Sequence, residues 1–137
     1  MKTFKEKVAV ITGAGSGMGR YLAVLLAKDG ADVCICDVNQ ETLDETAEML
    51  RQYNVSVSSH LLDVSDKESI ESLPQKVIDH HGKIDLVFNN AGVTTGSHFK
   101  DMEEENWNWV MGINFDGVIN STRAFIPHMI DRPEAAI

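Results

Sequence analysis

A chain of 137 residues, 43% hydrophobic and 24% charged, has the size and mixture of one soluble globular domain. Its formal charge of −9 excludes a broad basic surface, and with it nucleic acid or an anionic membrane as a partner held by such a surface. No stretch approaches a membrane span, and the apolar run after Lys2, Lys5 and Lys7 is too short for a signal-peptide core, so the cytoplasm is the expected location.

Residues 7–12 read as a first strand and 17–29 as a helix, joined through the glycine-rich run TGAGSGMG at 12–19. A second strand of β-prone residues covers 31–37. Cys34 and Cys36 lie two apart in it and face the same way, which suits two buried thiols in a reducing compartment better than a mutual disulfide. Residues 42–53 are helical, with Leu43, Ala47 and Leu50 on one face. A third strand at 55–64 alternates through Val55, Val57, Ser59 and Leu61.

Ser65, with Glu68 three residues on, forms a capping box for a helix through Ile70, Leu73, Val77 and Ile78 to a stop at Gly82, with Pro74 inside it. Residues 84–89 are apolar without alternation, the pattern of a fourth strand buried on both faces. From 103 to 129 one long helix places Trp107, Met111, Val118, Phe125 and Met129 on a stripe that also holds Asn114, and the acids 103–105 mark its N-terminus. Asp131, Arg132 and Pro133 end it, and 135–137 read as the opening of a fifth strand. The predicted fold class is α/β: a doubly wound, Rossmann-type parallel sheet, incomplete at four strands plus the start of a fifth.

In such a sheet a ligand sits beyond the carboxyl ends of the strands, where the strand order reverses. The informative residues fall at those ends. Glycines at 13, 15, 17 and 19 let the chain turn sharply from strand to helix and bring backbone amides to a helix N-terminus, where partial positive charge favours a diphosphate. Asp37 follows Gly17 by twenty residues, the separation at which an acid closing the second strand accepts hydrogen bonds from an adenosine ribose.

A carboxylate there repels a 2′-phosphate, and neither Ser16 nor Val38 is basic, which favours NAD over NADP. Arg20 is the remaining cation, and its place at the helix start can turn it away from the site. His60, His80, His81, His98 and His128 lack metal-ligand spacing, so no metal is expected. His80 and His81 suit a helix C-terminus instead.

The glycine spacing is TGxxxGxG rather than GxGxxG. With Asp63-Val64 after the third strand, NNAG at 89–92 after the fourth, and Asn114, it resembles the classical short-chain dehydrogenase/reductase family over essentially the whole chain. The resemblance implies that the backbone around Ser16, Gly17 and Met18, between Gly13 and Gly19, meets the cofactor diphosphate. It further implies that Asp37 binds the adenosine ribose, and that Asp63 and Val64 meet adenine. Asn90, Ala91 and Gly92 would line the nicotinamide side while tying strand four to the glycine turn through Thr12. Asn114 matches the family's catalytic helix asparagine, which bends its helix and holds a water in a proton relay.

The family's serine and YxxxK pair are not found here, since Tyr21 and Tyr53 have Leu25 and Val57 four residues on. The resemblance therefore implies the N-terminal, NAD-binding part of one Rossmann domain, 1–137, from an oxidoreductase that moves a hydride between nicotinamide and an alcohol or carbonyl substrate. This part is expected to be inactive alone, and the full-length protein to be a homo-oligomer joined partly through the 103–129 helix. A non-catalytic dinucleotide-binding module, as a truncated paralogue or regulatory protein, is the alternative. An S-adenosylmethionine methyltransferase fits GAGSG but usually needs an acid where Ile11 stands.

Overall fold

The computed structural model describes residues 3–137. Strands β1 (Val8–Thr12), β2 (Asp32–Asp37), β3 (Val57–Leu61) and β4 (Leu86–Phe88) form one parallel sheet in the order β3-β2-β1-β4. Helices α1 (Gly17–Lys28), α2 (Gln40–Leu50) and α3 (Lys67–His81) cross between successive strands. Helices α4 (Glu104–Met111) and α5 (Gly117–Met129) follow β4. Strand order reverses about β1, with β2 on one side and β4 on the other, so a crevice opens beyond their carboxyl ends.

Alternation within each buried strand explains the two layers of helices. Val8, Val10, Cys34, Cys36 and Val87 face Ile70, Leu73 and Val77 of α3 and Phe125 and Met129 of α5. Ala9, Ile11, Val33, Ile35 and Leu86 face Ala23, Leu26 and Ala27 of α1 and Leu43 and Leu50 of α2. Successive side chains point to opposite faces, so a strand covered on both must be apolar throughout. The two cysteines are buried free thiols on one face, as expected.

Three local expectations are corrected. Helix α3 is capped by Asp66, whose carboxylate accepts the N–H groups of Glu68 and Ser69, while Ser65 Oγ turns back to Asp63 Oδ1 at 2.7 Å. The acid outcompetes the hydroxyl because a charged acceptor bonds backbone amides more strongly. The long helix is two helices separated by a π-turn, Gly112–Asp116, and only the later part of its stripe is buried: Phe125 and Met129 are, whereas Trp107 is 43% exposed.

Strand β3 is shorter than its alternation suggested. As an edge strand it turns Ser58 and His60 toward the sheet's α3 side and leaves Leu61 60% exposed. Ala136 pairs in parallel with Leu86, the beginning of the expected fifth strand, through Val87 N to Ala136 O and Ala136 N to Asp85 O, both 3.0 Å. Among the described residues no helix is long and apolar enough to cross a membrane.

Candidate dinucleotide cleft

The ends of β1 and β4 are tied by reciprocal bonds. Thr12, 1% exposed, accepts the N–H groups of Asn90 and Ala91 on its Oγ1, each at 3.1 Å. Asn90 Nδ2 donates in return to the carbonyls of Thr12 at 3.0 Å and Gly13 at 3.1 Å. Buried backbone groups at the end of a sheet must find partners outside the ladder, and a threonine with an asparagine supplies them here. The expected tie between strand four and the glycine turn is present.

The turn itself suits an anion. Gly17 has φ +53°, and a Cβ built on it would meet nothing within 4 Å. The backbone is therefore in the left-handed region that favours glycine, with open space before it. Ser16, the extended N-cap residue of α1, makes no side-chain capping bond, and no acid stands in the first turn, so the chain itself leaves the helix's positive end uncompensated. Gly13 and Gly19 pack the turn under β4: a Cβ on Gly19 would fall 2.5 Å from Asn90 Nδ2. Met18, 82% exposed, stands at the rim.

Asp37 closes β2 and is braced by backbone amides, accepting from Gly15 N at 2.8 Å on Oδ2 and from Asn39 N at 3.1 Å on Oδ1. Gly15 has no room for a side chain, since a Cβ would lie 2.6 Å from Thr42 Oγ1 and 2.9 Å from Asp37 Oδ2. Arg20 turns away from the cleft and toward α2. It donates to Gly15 O at 2.5 Å, Thr42 O at 3.1 Å, Thr46 Oγ1 at 2.9 Å and Glu45 at 2.7 Å.

Asp63 lies two residues beyond β3 and accepts from Ser65 N at 2.8 Å. Val64 is buried against Gly117, where a Cβ would lie 2.8 Å from Val64 Cγ2. Asn114 is exposed and lies within the π-turn, outside any buried stripe. Both ends of its amide are occupied by one residue: Oδ1 accepts from Val93 N and Nδ2 donates to Val93 O, each at 2.8 Å. The polar partner that an asparagine on an apolar stripe would require is thus a loop backbone.

These strand ends enclose one cleft of about 350 Å³, lined by Thr12, Gly13, Ser16, Gly17, Met18, Asp37, Asp63, Val64, Asn90, Ala91 and Gly92. Every expected cofactor residue except Gly19, which lies buried behind the turn, reaches it. Leu62, Val93, Ile113 and Cys36 also line it and were not anticipated. Hydrogen bonding to the Cys34 sulfur, then burial, pushes the Cys36 thiol well above its ordinary range, so it meets the cleft as a neutral wall. Thr46, fully buried, was missed too, although a polar residue spaced three and four from Leu43 and Leu50 on an apolar face is a readable signal. His98 and Phe99 are exposed outside the cleft, with Phe99 edge-on to Trp107.

The family model for short chain dehydrogenases matches residues 7–137. The chain belongs to the short-chain dehydrogenase family. The 3-oxoacyl-acyl-carrier-protein reductase FabG of Thermotoga maritima is 36% identical over 131 residues, covering 96% of this chain and 53% of that protein. The putative oxidoreductase SadH of Mycobacterium tuberculosis is 38% identical over 95% of this chain and 47% of its own length.

Among solved structures, a short-chain dehydrogenase/reductase from Burkholderia phymatum in complex with NAD superposes with a TM-score of 0.93 at 39% identity, covering 99% of this chain and 48% of that one. An NAD+-bound xylitol dehydrogenase gives 0.90 at 32% identity, over 94% of this chain and 50% of the other. This short-chain dehydrogenase chain spans about half the length of the curated relatives it matches.

Proposed function

We propose that the cleft binds a nicotinamide dinucleotide, NAD in preference to NADP, and that the full protein is an oxidoreductase for an alcohol or carbonyl substrate. The observation that carries this reading is the uncapped α1 N-terminus at Gly17, in a cleft that is also lined by the carboxylate of Asp37. The NAD-bound relatives support it. The amides from Ser16 to Met18 hold the diphosphate and Asp37 the adenosine ribose. Asp63 and Val64 flank the adenine, and Asn90, Ala91 and Gly92 the nicotinamide ribose.

The cofactor, when bound, supplies hydride chemistry at its nicotinamide ring. Asn114 acts in this reading as a positioning residue: it fixes the Val93 loop that follows NNAG, beside the nicotinamide end. Asp37, with both oxygens already set by backbone amides, is preoriented to accept from ribose hydroxyls and to repel a 2′-phosphate.

Titration with NADH and NADPH, read by nucleotide fluorescence, tests the reading. NADH should bind more tightly by about tenfold or more, a difference of about 1.4 kcal/mol. Asp37→Ala should erase that gap while leaving the far-ultraviolet spectrum unchanged. A protein that binds neither nucleotide, or prefers NADPH, does not have this function.

A further inference from the structure

Arg20 has no assigned part in the cleft, yet its side chain makes four hydrogen bonds to the glycine turn and α2. Its Nη2 reaches Gly15 O, Thr42 O and Glu45, and its Nε reaches Thr46 Oγ1. Thr46, fully buried, donates to Ala14 O at 2.9 Å, so α2 and the guanidinium together hold the carbonyl side of the turn at 14–15. On its other side the same Gly15 points its N–H at Asp37 Oδ2, 2.8 Å away. Glu45, Arg20, Gly15 and Asp37 therefore form one continuous chain, running from the surface of α2 through a single glycine to the cleft.

The chain has two consequences. The Gly15 N–H lies in the rigid peptide plane of Ala14 O, which Thr46 Oγ1 holds while itself accepting from Arg20 Nε, and a freely rotating glycine keeps that direction only if the next plane is gripped as well, at Gly15 O. The Arg20 guanidinium supplies that grip with a charge-assisted bond, and no side chain can replace it, because a Cβ at Gly15 would overlap Thr42 and Asp37. Moreover, the same four acceptors spend the cation. Arg20 is the basic residue of the turn, and Glu45 with two carbonyls and a hydroxyl directs its charge toward α2, away from the cleft.

We propose that Arg20 is a positioning residue for cofactor selection: through Gly15 it orients Asp37 for an unphosphorylated ribose, and through Glu45 its own charge is withheld from a 2′-phosphate. This rests on the reading of the cleft as an NAD site. Selectivity is then set by two groups rather than one, and the second never touches the cofactor.

The test compares dissociation constants for NADH and NADPH in the full chain, in Arg20→Ala, in Arg20→Lys and in Glu45→Gln. Arg20→Ala should weaken NADH about tenfold, the scale of one charge-assisted bond, while NADPH changes by less than about threefold, so the preference collapses. Arg20→Lys, which keeps a donor and a charge, should restore part of it. Glu45→Gln should tighten NADPH about two- to threefold and leave NADH unchanged, because its effect is purely electrostatic at an exposed pair.

If Arg20→Ala weakens both nucleotides in equal proportion, the residue merely supports the fold and the inference falls, although the NAD site stands. If the wild-type chain binds neither nucleotide or prefers NADPH, the cleft reading fails first and takes this one with it. Glu45→Gln decides the matter should Arg20→Ala lose its far-ultraviolet spectrum: an unchanged nucleotide ratio in that variant overturns the inference.

Discussion

Thr12 shows how much one hydroxyl can hold. Its oxygen takes two backbone N–H groups of the NNAG segment, and it is 1% exposed, so water cannot substitute for it. Thr12→Val keeps the shape and strands both donors, which should cost about 2–4 kcal/mol in urea unfolding. Thr12→Ser retains the oxygen and should cost much less. A loss from Thr12→Ser alone, with Thr12→Val harmless, would show that the methyl group, not the hydroxyl, matters. The residue types at these strand ends were legible in sequence because Thr12, Asp37, Asp63 and Asn89 close four successive apolar runs, a convergence that ordinary turn chemistry does not require. That Thr12 meets the NNAG segment came only from the family resemblance, since no local pattern links residues 78 positions apart.

At the scale of elements, the end of α3 meets the edge strand β3 through two serine–histidine bonds, Ser58 Oγ to His81 Nε2 at 2.8 Å and Ser56 Oγ to His80 Nε2 at 3.2 Å. Burial, followed by the neighbouring His80 charge, pulls His81 down to about 4, with Asp32 opposing and His60 adding a little. The folded state thus refuses a proton that the unfolded chain accepts near 6.5. The stability this contributes is complete above about pH 6.5 and is lost as the pH falls toward about 4.

His81→Gln should therefore flatten the decline of the urea midpoint between pH 7 and pH 5 relative to wild type, and parallel declines would refute the assignment. Sequence placed these histidines at a helix C-terminus, which is where they are. It did not show that they reach sideways to a strand, because that contact depends on how α3 lies on the sheet.

Across the whole molecule, the buried carboxylate of Asp85 joins three distant segments at the end of the sheet away from the cleft. It accepts from Val8 N at 2.9 Å and from Arg132 at 2.7 Å, and lies 3.3 Å from Lys83. Burial alone would raise its pKa. The Val8 amide and the Arg132 and Lys83 cations outweigh that and leave it below the ordinary carboxylate range. Arg132 follows α5, so this knot aligns the segment that carries Ala136 onto Leu86. Arg132→Met should lower the unfolding free energy by about 2 kcal/mol, because one partner of a buried charge is removed. A change within about 0.5 kcal/mol would mean that Lys83 and Val8 suffice.

Residue order alone was enough for the alternation of strands and helices, the glycine turn, and the acid and asparagine positions at the strand ends. Each is written in short-range periodicity or in the backbone demands of single residues. It took the packed molecule to set Asp66 rather than Ser65 as the cap of α3, to put Asn114 in a π-turn bonded to Val93, and to turn Arg20 onto α2. These outcomes are competitions among donors and acceptors. All but the cap, a contest between adjacent residues, join groups 21 or more residues apart, and the winner depends on which groups the packing of helices against the sheet brings within reach.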